Sequence, residues 1–370
     1  MPDPSRSIGD RRAVAEEKGI EFSHDFSYCE LQYVIIGQDV SWGGGNIRYQ
    51  RMLGRFSGKQ LLVLGDIMVD EYIWGSVSRL SPEAPVPVVE VKAESFRLGG
   101  AGNVAANIRS LGGRAILVGV VGSDLPGERL IQQIEAAGMK SDGVVVDRAR
   151  QTTIKTRVVA GSQQIVRFDR ESMSDLSKGA VDRLLSLAAD RLAEADAVLI
   201  SDYAKGVISK RVARQILSLA RRHRKIIIVD PKVHHFSLYK GATVVTPNHY
   251  EALAFARLPA WGEQDLLARA GRELLRKLEV KAVLVTRGEQ GMSLFEDGRV
   301  THIPAVAKEV YDVTGAGDTV LATLGLAMAS GASLREAAVI ANHAAGVVVG
   351  RAGTATISRP ELLNALKDRV

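Results

Sequence analysis

The chain contains the stretch Asp312-Val313-Thr314-Gly315-Ala316-Gly317-Asp318-Thr319, which is followed by the apolar residues 320–324. Two glycines around one small residue let the backbone turn tightly, and the apolar run predicts a helix that begins at this turn. The first amides of a helix have no partner within it, and the helix dipole places partial positive charge there. The turn therefore predicts an anion hole with a carboxylate, Asp318, beside it.

This turn favours a group-transfer reaction. We predict that Asp318 accepts the proton of an attacking hydroxyl, while the amides of Gly315, Ala316 and Gly317 stabilise charge on the transferred group. A carboxylate in a first helical turn is also common for its effect on the dipole alone. The second carboxylate, Asp312, and the small residues between the two favour the functional interpretation. No Gly-Lys-Ser/Thr follows the glycines, so the loop is not of the Walker type.

From residue 60 onward, short apolar runs alternate with longer amphipathic stretches. The runs predict strands at residues 61–64, 115–121, 197–200, 226–229, 243–246 and 280–286. The amphipathic stretches predict helices at residues 103–111, 128–137, 180–193, 210–223, 250–256, 263–278, 319–329 and 334–348. Near-continuous apolar strands between helices predict an α/β fold, with a mostly parallel sheet and helices on both faces.

Two segments, 86–91 and 153–168, instead alternate between apolar and polar residues. This pattern predicts half-buried strands, the second segment forming a hairpin. They form either an antiparallel edge of the main sheet or, as we favour, a small lid sheet over a site, at about residues 71–97 and 151–170. Residues 1–55 lack apolar periodicity, so we expect a poorly ordered appendage before one domain at residues 56–370.

The composition is that of a globular protein, with 46% apolar and 24% charged residues. No charge-free stretch reaches the roughly 20 residues of a membrane span, and no apolar run follows the N-terminal arginines as in a secretory signal. Cys29 is the only cysteine, which fits a reducing compartment and excludes thiolate zinc sites. The net charge of +6 is scattered and aromatics make up 5%, which argues against nucleic acid. We therefore expect a cytoplasmic protein without a membrane or nucleic-acid partner.

A second glycine-rich turn, at residues 98–107, also opens a predicted helix. Gly99 and Gly100 let a ligand approach the backbone, and Asn103 offers a donor and an acceptor to a hydroxyl group. Asp66 and Asp70 follow the first strand, at the edge where open α/β sheets place ligands. Two carboxylates and an amide at this edge suit the hydroxyls of a sugar.

Asn248 and Glu251 lie three positions apart at the start of another predicted helix. Their oxygens suit Mg²⁺, bound directly or through water. The same spacing is that of a capping box, in which Asn248 caps the helix and Glu251 reaches back, and the sequence leaves both interpretations open. No histidine has zinc-ligand spacing, and no serine lies in Gly-x-Ser-x-Gly.

Taken together, the motifs at residues 312–319, 99–103 and 246–251 resemble the ribokinase-like (phosphofructokinase B) family of carbohydrate kinases, over about residues 60–367. The resemblance implies that Asp318 deprotonates the anomeric hydroxyl of a sugar, which attacks the γ-phosphate of ATP. Asn248 and Glu251 would help to place Mg²⁺. The resemblance also implies that Asp66, Asp70, Gly100 and Asn103 hold sugar hydroxyls, and that the nucleotide pocket includes Thr286, Gly288, Gly291 and Asn342.

Within the family, residues 78–89, 199–206 and 285–294 are similar to members that phosphorylate D-glycero-β-D-manno-heptose 7-phosphate at O1 in lipopolysaccharide synthesis. In many bacteria such kinases are fused to a nucleotidyltransferase. This sequence resembles the kinase half alone, so a separate adenylyltransferase is expected. The phosphate of the sugar needs cations, and Lys155, Arg157 and Lys205 are the candidates. The family also suggests a homodimer through the lid. The alternatives are a kinase for another sugar or sugar phosphate, and a non-catalytic sugar or nucleotide sensor, against which Asp318 argues.

Overall fold

The computed structural model describes residues 32–35, 45–161, 163–172, 174–259, 264–307 and 309–367. One compact unit is Tyr33–Val370, and of the other unit, Met1–Gln32, only the last residue is described. Most of the predicted appendage therefore lies outside the described residues. Its final part is a helix, Gly45–Gly54, whose residue Leu53 is 1% exposed and packs in the hydrophobic core.

The described residues contain thirteen strands and ten α-helices. The strands are β1 (Gln32–Ile35), β2 (Gln60–Leu80), β3 (Pro87–Gly100), β4 (Arg114–Gly122), β5 (Val144–Asp147), β6 (Thr153–Ala160), β7 (Gln163–Arg170), β8 (Ala197–Ser201), β9 (Ile226–Asp230), β10 (Val244–Val245), β11 (Ala282–Thr286), β12 (Met292–Glu296) and β13 (Arg299–Ile303). The helices are α1 (Gly45–Gly54), α2 (Ala101–Ser110), α3 (Leu125–Ala136), α4 (Lys178–Leu192), α5 (Lys210–Arg222), α6 (His249–Phe255), α7 (Gln264–Leu278), α8 (Ala316–Ala329), α9 (Leu334–Val348) and α10 (Arg359–Lys367).

The main sheet confirms the predicted α/β class. Its strand order is β13-β12-β11-β10-β9-β8-β2-β4-β5. The strands from β11 to β5 pair in parallel, whereas β12 and β13 form an antiparallel hairpin at one side. All five residues of β8 are buried, and because successive side chains of a strand point to opposite faces, both faces of the sheet are covered.

Strand β2 belongs to two sheets. Its first part, up to Asp66, pairs with β4 and β8 in the main sheet. From Ile67 onward it pairs with β3 on one side, and from Met68 onward with β6 on the other, and β7 continues from β6 as a hairpin. The smaller sheet, β3-β2-β6-β7, thus contains both alternating segments of the sequence. Its use as a lid stays a prediction.

The smaller sheet has two different faces, which the strand register defines. Asp70, Lys155, Arg157 and Asp169 belong to one face, because Asp70 pairs with Lys155 and Lys155 with Asp169. Neighbouring register positions place four exposed apolar side chains on the other face: Val77, Val91, Val166 and Phe168. We call the first the inner face and the second the outer face. In the described part of the chain, no helix is long and apolar enough to cross a membrane.

Candidate active site

The functional side chains gather where the parallel strands end. Asp66 ends the main-sheet part of β2, a loop at residues 202–207 follows β8, and Asp230 ends β9. The register pairs Ser201 with Asp230, so these ends lie side by side. The first turn of α8 reaches the same place, since a Cβ atom added to Gly317 would lie 3.8 Å from Asp230 Oδ2.

Asp318 is buried at the centre of this edge, with 1% of its surface exposed. The side-chain amide of Asn103 donates to Oδ2 across 2.9 Å, and the Tyr203 hydroxyl donates to Oδ1 across 3.0 Å. Burial raises the pKa of Asp318 to about 7, although both hydrogen bonds act in the opposite direction. A carboxylate that is half ionised near neutral pH is well matched to the role of a general base.

The turn before α8 has the predicted form. Gly315 caps the helix with φ of 78°, and a Cβ atom there would lie 2.6 Å from the Asn103 amide nitrogen, so only glycine fits. The amide of Ala316 already donates to the Val313 carbonyl across 3.2 Å. The amides of Gly317 and Asp318 are the next in the first turn, where no carbonyl of the helix can reach them. Of the three amides predicted to form the anion hole, that of Ala316 is therefore already engaged, and the role of the Gly315 and Gly317 amides stays a prediction.

Asp312 has a structural task. One of its oxygens accepts the amide of Thr314 across 2.9 Å, and the other accepts the amide of Gly353 across 2.9 Å. It therefore joins the turn before α8 to the loop that precedes α10. The sequence analysis used Asp312 as support for a functional turn, whereas its contacts in the structure stabilise the loop.

Asp66 also has a structural role. Its carboxylate is 2% exposed and accepts the backbone amides of Tyr203, Lys205 and Val207 at 2.8, 3.2 and 3.2 Å. Three of the roughly four lone-pair sites of the carboxylate are thus engaged by the loop. Asp66 holds the loop at residues 202–207 in place, and its predicted contact with a sugar hydroxyl stays a prediction.

Asp70 and Arg157 form a buried ion pair on the inner face. Burial raises the pKa of Asp70, against the lowering effect of the guanidinium. A Cβ atom on Gly99 would lie 2.4 Å from Asp70 Oδ2, which explains that glycine by close packing. Gly100 has φ of 56° and approaches the carbonyl of Asp66, so it is a turn residue. Asp70 thus neutralises Arg157, and the predicted role of Arg157 toward a sugar phosphate stays a prediction.

The two predicted lysines lie at the junction of β6, β7 and the loop at residues 202–207. Lys205 Nζ is 2.7 Å from Glu171 Oε2, and Lys155 Nζ is 3.7 Å from Asp169 Oδ2. Lys155 Nζ also lies 6.0 Å from the centroid of the Tyr203 ring, whose hydroxyl contacts Asp318. Burial lowers the pKa of Lys155. Lys155 and the base thus lie beside the same tyrosine.

Asn248 and Glu251 form the capping box that the sequence left open. Asn248 Oδ1 accepts the amide of Glu251 across 2.9 Å, and Glu251 Oε2 accepts the amide of Asn248 across 3.0 Å. The remaining Glu251 oxygen is 2.7 Å from Lys232 Nζ. Among the described residues no three histidine, cysteine or acidic side chains form a group that could hold a metal ion.

Asp230 lies among other acidic side chains at the edge of the sheet. Burial raises its pKa to about 8; Glu251 and Asp318 add to the rise, and Lys232 opposes it. In the sequence, Asp230 is a polar residue that directly follows the predicted strand at residues 226–229. Its proximity to Asp318 depends on α8 returning to the sheet edge, which no local pattern reveals.

The predicted nucleotide residues lie at the end of β11, in the turn that follows β11, and on α9. Thr286 ends β11 and forms an isolated bridge with Asn248, so this motif adjoins the capping box. Gly288 has open space around it. Gly291 has φ of 79° and packs on the Ile303 carbonyl, while the Asn342 side chain donates to the Pro304 carbonyl across 2.8 Å. Gly291 and Asn342 therefore shape the wall after β13, and their contact with a nucleotide stays a prediction.

Comparisons with known proteins identify the family to which the chain belongs. The model of the pfkB family carbohydrate kinases matches residues 59–362. The bifunctional protein HldE of Geobacter metallireducens is 46% identical over 306 residues, which are 82% of this chain and 62% of that protein. The protein of the same name from Helicobacter pylori J99 is 45% identical over 304 residues, 82% of this chain and 65% of that protein. The chain thus spans less than two thirds of the length of these relatives.

Solved structures share the fold at low sequence identity. Phosphofructokinase-2 from Escherichia coli, in complex with potassium, has a TM-score of 0.71 at 21% identity, covering 84% of this chain and 98% of that one. Ribokinase from Arabidopsis thaliana, complexed with ribose and ATP, has a TM-score of 0.66 at 22% identity, with coverage of 84% and 98%. At this identity the likeness establishes the fold.

Proposed function

Because the chain belongs to the pfkB family of carbohydrate kinases, we propose that it phosphorylates D-glycero-β-D-manno-heptose 7-phosphate at O1, in the synthesis of lipopolysaccharide. The choice of heptose rests on residues 78–89, 199–206 and 285–294, which resemble heptose 7-phosphate kinases, and on the identity of 46% to a protein named HldE. The observation that carries the reaction type is the buried Asp318, with a pKa of about 7, at the start of α8.

In the proposed reaction, ionised Asp318 takes the proton of the anomeric hydroxyl. The sugar oxygen forms a bond to the γ-phosphorus of ATP as the bond to the β-phosphate oxygen breaks, giving heptose 1,7-bisphosphate and ADP. The amides of Gly317 and Asp318 stabilise the charge on the transferred phosphoryl group. Asn103 holds one carboxylate oxygen in place, across 2.9 Å. Since phosphoryl transfer needs mainly positioning and charge neutralisation, these contacts carry the rate.

The charges at the sheet edge suit Mg²⁺. Three carboxylates, Asp230, Glu251 and Asp318, influence one another, with Lys232 as the nearby cation. Asn248 and Glu251 would help to hold the ion through water, because their oxygens already serve the capping box. When bound with ATP, the ion would neutralise charge on the phosphates.

We assign the phosphate of the sugar to Lys155 and Lys205. Their side chains are 15% and 14% exposed, and Lys155 lies next to Tyr203, which spans the distance to the base. Their partners Asp169 and Glu171 are each 22% exposed and could turn toward solvent. Arg157 is left out of this assignment because its pair, unlike those of the two lysines, is buried: Arg157 is 7% and Asp70 is 3% exposed.

A second copy of the chain is proposed to cover the outer face of the lid. Val77, Val91, Val166 and Phe168 are 39%, 55%, 48% and 41% exposed on that single face. Exposed apolar side chains grouped on one face are typical of an interface. Sedimentation velocity of the purified protein would give a dimer, and a monomer at micromolar concentration would contradict this part. The reaction is placed in the cytoplasm, as the single cysteine suggests.

The substrate is tested by a coupled ADP-release assay with MgATP. The heptose 7-phosphate is offered beside fructose 6-phosphate, tagatose 6-phosphate and ribose, and kcat/KM is compared. We expect the heptose phosphate to have the highest value. A higher value for another sugar would move the substrate within the family, and ATP binding without turnover of any sugar would favour a sensor.

A further inference from the structure

Tyr203 lies in the stretch at residues 199–206 and contacts the base, and this tyrosine has been assigned no role in the reaction so far. Its hydroxyl lies 3.0 Å from Asp318 Oδ1, on the oxygen that Asn103 does not contact. Each carboxylate oxygen of Asp318 therefore has one side-chain donor. Two fixed donors leave the carboxylate one orientation, with lone pairs that are still free to accept a proton.

The loop that carries Tyr203 is held by the Asp66 carboxylate. The amide of Tyr203 donates to Asp66 Oδ2 across 2.8 Å, and Lys205 and Val207 donate to the same carboxylate. The residue before Tyr203 is also tied, because the amide of Asp202 donates to the carbonyl of Asp230 across 3.1 Å. A buried acidic side chain that accepts three amides of one loop determines where the loop residues point.

We infer that Tyr203 is a positioning residue for the general base, and that Asp66 acts through the backbone to hold Tyr203 against Asp318. The inference rests on the proposed role of Asp318 in proton transfer. It gives Asp66 a function that differs from its predicted contact with sugar hydroxyls. It also explains why a tyrosine, which supplies a rigid ring and one terminal donor, stands between Lys155 and the base.

The Tyr203 hydroxyl also affects the protonation of Asp318. A hydrogen bond from a neutral hydroxyl favours the ionised carboxylate, and thus keeps the pKa of Asp318 lower than burial alone would make it. The charged groups that also act on Asp318 are Asp70 and Asp230, which disfavour its ionisation, and Lys232, which favours it. Removal of the Tyr203 hydroxyl leaves these three groups unchanged.

The test compares Tyr203→Phe with the wild type over pH 5.5 to 9.5. Loss of a hydrogen bond to a charged group is expected to raise the pKa of the acid limb of kcat by about one to two units. From a pKa of about 7, kcat at pH 7 would then fall roughly 5- to 50-fold and recover at pH 9.5. An equal loss at every pH would overturn the inference, because it would indicate general damage to the fold.

A matched control is Tyr239→Phe. The Tyr239 hydroxyl is buried and donates to a neighbouring carboxylate, Asp202, across 2.5 Å, without contacting Asp318. This variant loses the same group from the same part of the molecule. We expect its pH profile to match that of the wild type, and a shift equal to that of Tyr203→Phe would contradict a specific effect on the base.

The role of Asp66 is tested by a double-variant cycle. Asp66→Asn weakens the anchor of the loop and is expected to shift the acid limb in the same direction as Tyr203→Phe. Because both act on one contact, the double variant should shift it no further than Tyr203→Phe alone. Additive shifts would mean that Asp66 does not act through Tyr203.

Failure of the substrate proposal can be told apart from failure of this inference. The kinetic profile uses whichever sugar the wild type phosphorylates. The pKa of Asp318 is also followed without any substrate, by NMR titration of protein labelled with ¹³C at the aspartate carboxyl carbons and assigned with Asp318→Asn. A titration that is the same in the wild type and in Tyr203→Phe would overturn the inference even in an inactive protein.

Discussion

The side-chain amide of Asn103 donates to Asp318 across 2.9 Å and so joins the first turns of α2 and α8, which are 215 positions apart in the chain. Both turns begin with glycine, and Gly315 owes its identity to Asn103, whose amide nitrogen occupies the space that a Cβ atom would take. The two glycine-rich motifs are therefore parts of one structure. One motif carries the base and the other fixes its orientation.

Asp318→Asn is expected to abolish most of the activity while ATP binding is kept. Loss of a general base typically lowers kcat by ~10²–10⁴-fold. Asparagine has nearly the same shape, and ATP affinity measured by calorimetry should change little. A variant with turnover close to that of the wild type would refute the assignment of the base.

The same substitution should change the pH dependence of stability. Since the pKa of Asp318 is about 7 in the folded protein and its ordinary value is 3.8, the native state binds more protons than the unfolded state between these values. Stability of the wild type is therefore lost as the pH rises through this window. From pH 5 to pH 8, the free energy of unfolding of Asp318→Asn should gain about 2–3 kcal/mol relative to the wild type. Urea unfolding at both pH values measures this, and a constant difference would contradict the raised pKa.

Arg157→Ala is expected to destabilise the protein. It leaves the Asp70 carboxylate, 3% exposed, without its cation, and removal of one partner of a buried pair typically costs about 3–5 kcal/mol. Addition of Asp70→Asn should restore part of this loss, because the unpaired charge is then removed. Urea unfolding of the single and double variants gives the result, and equal stability of Arg157→Ala and the wild type would show that the pair is not formed.

Lys205→Ala is expected to raise KM for the phosphorylated sugar about tenfold or more, with KM for ATP little changed, since a charge-assisted contact to phosphate is lost. Lys240→Ala is the control. Lys240 makes an exposed pair with Glu279 across 2.7 Å, the same length as the pair between Lys205 and Glu171. Steady-state kinetics that show equal effects for both variants, or equal effects on both substrates, would exclude Lys205 from the phosphate site.

The local part of the fold was predictable from the sequence. Apolar runs identified β8 and β9 to within one residue at either end, and the glycines before residue 318 identified the start of α8 to within three residues. These features depend on side chains close in sequence, whose periodicity and turn chemistry are visible in one segment. Strand β2 is 21 residues long, and its continuation from Ile67 into a second sheet was not predicted, because β3 and β6 impose it from a distance.

The site was predictable in its residue types and less so in their tasks. Asp318 and Asn103 were found because each lies in a glycine turn. The sequence did not reveal that three loop amides engage Asp66 or that Asp70 neutralises Arg157, and the predicted substrate contacts of both residues remain predictions. Tyr203 was missed as a contact of the base, because that contact spans 115 positions. A sequence indicates which groups are polar, but only the folded chain determines which of them are already paired.

The central claim is transfer of phosphate to the anomeric hydroxyl of a sugar phosphate. It is tested most directly by ³¹P NMR of the products formed from MgATP and D-glycero-β-D-manno-heptose 7-phosphate, with Asp318→Asn as the control. We predict ADP together with a second sugar phosphate resonance coupled to the anomeric proton, which is absent with Asp318→Asn. A new phosphate at another carbon, or ADP formed with inorganic phosphate and no sugar bisphosphate, would contradict the account.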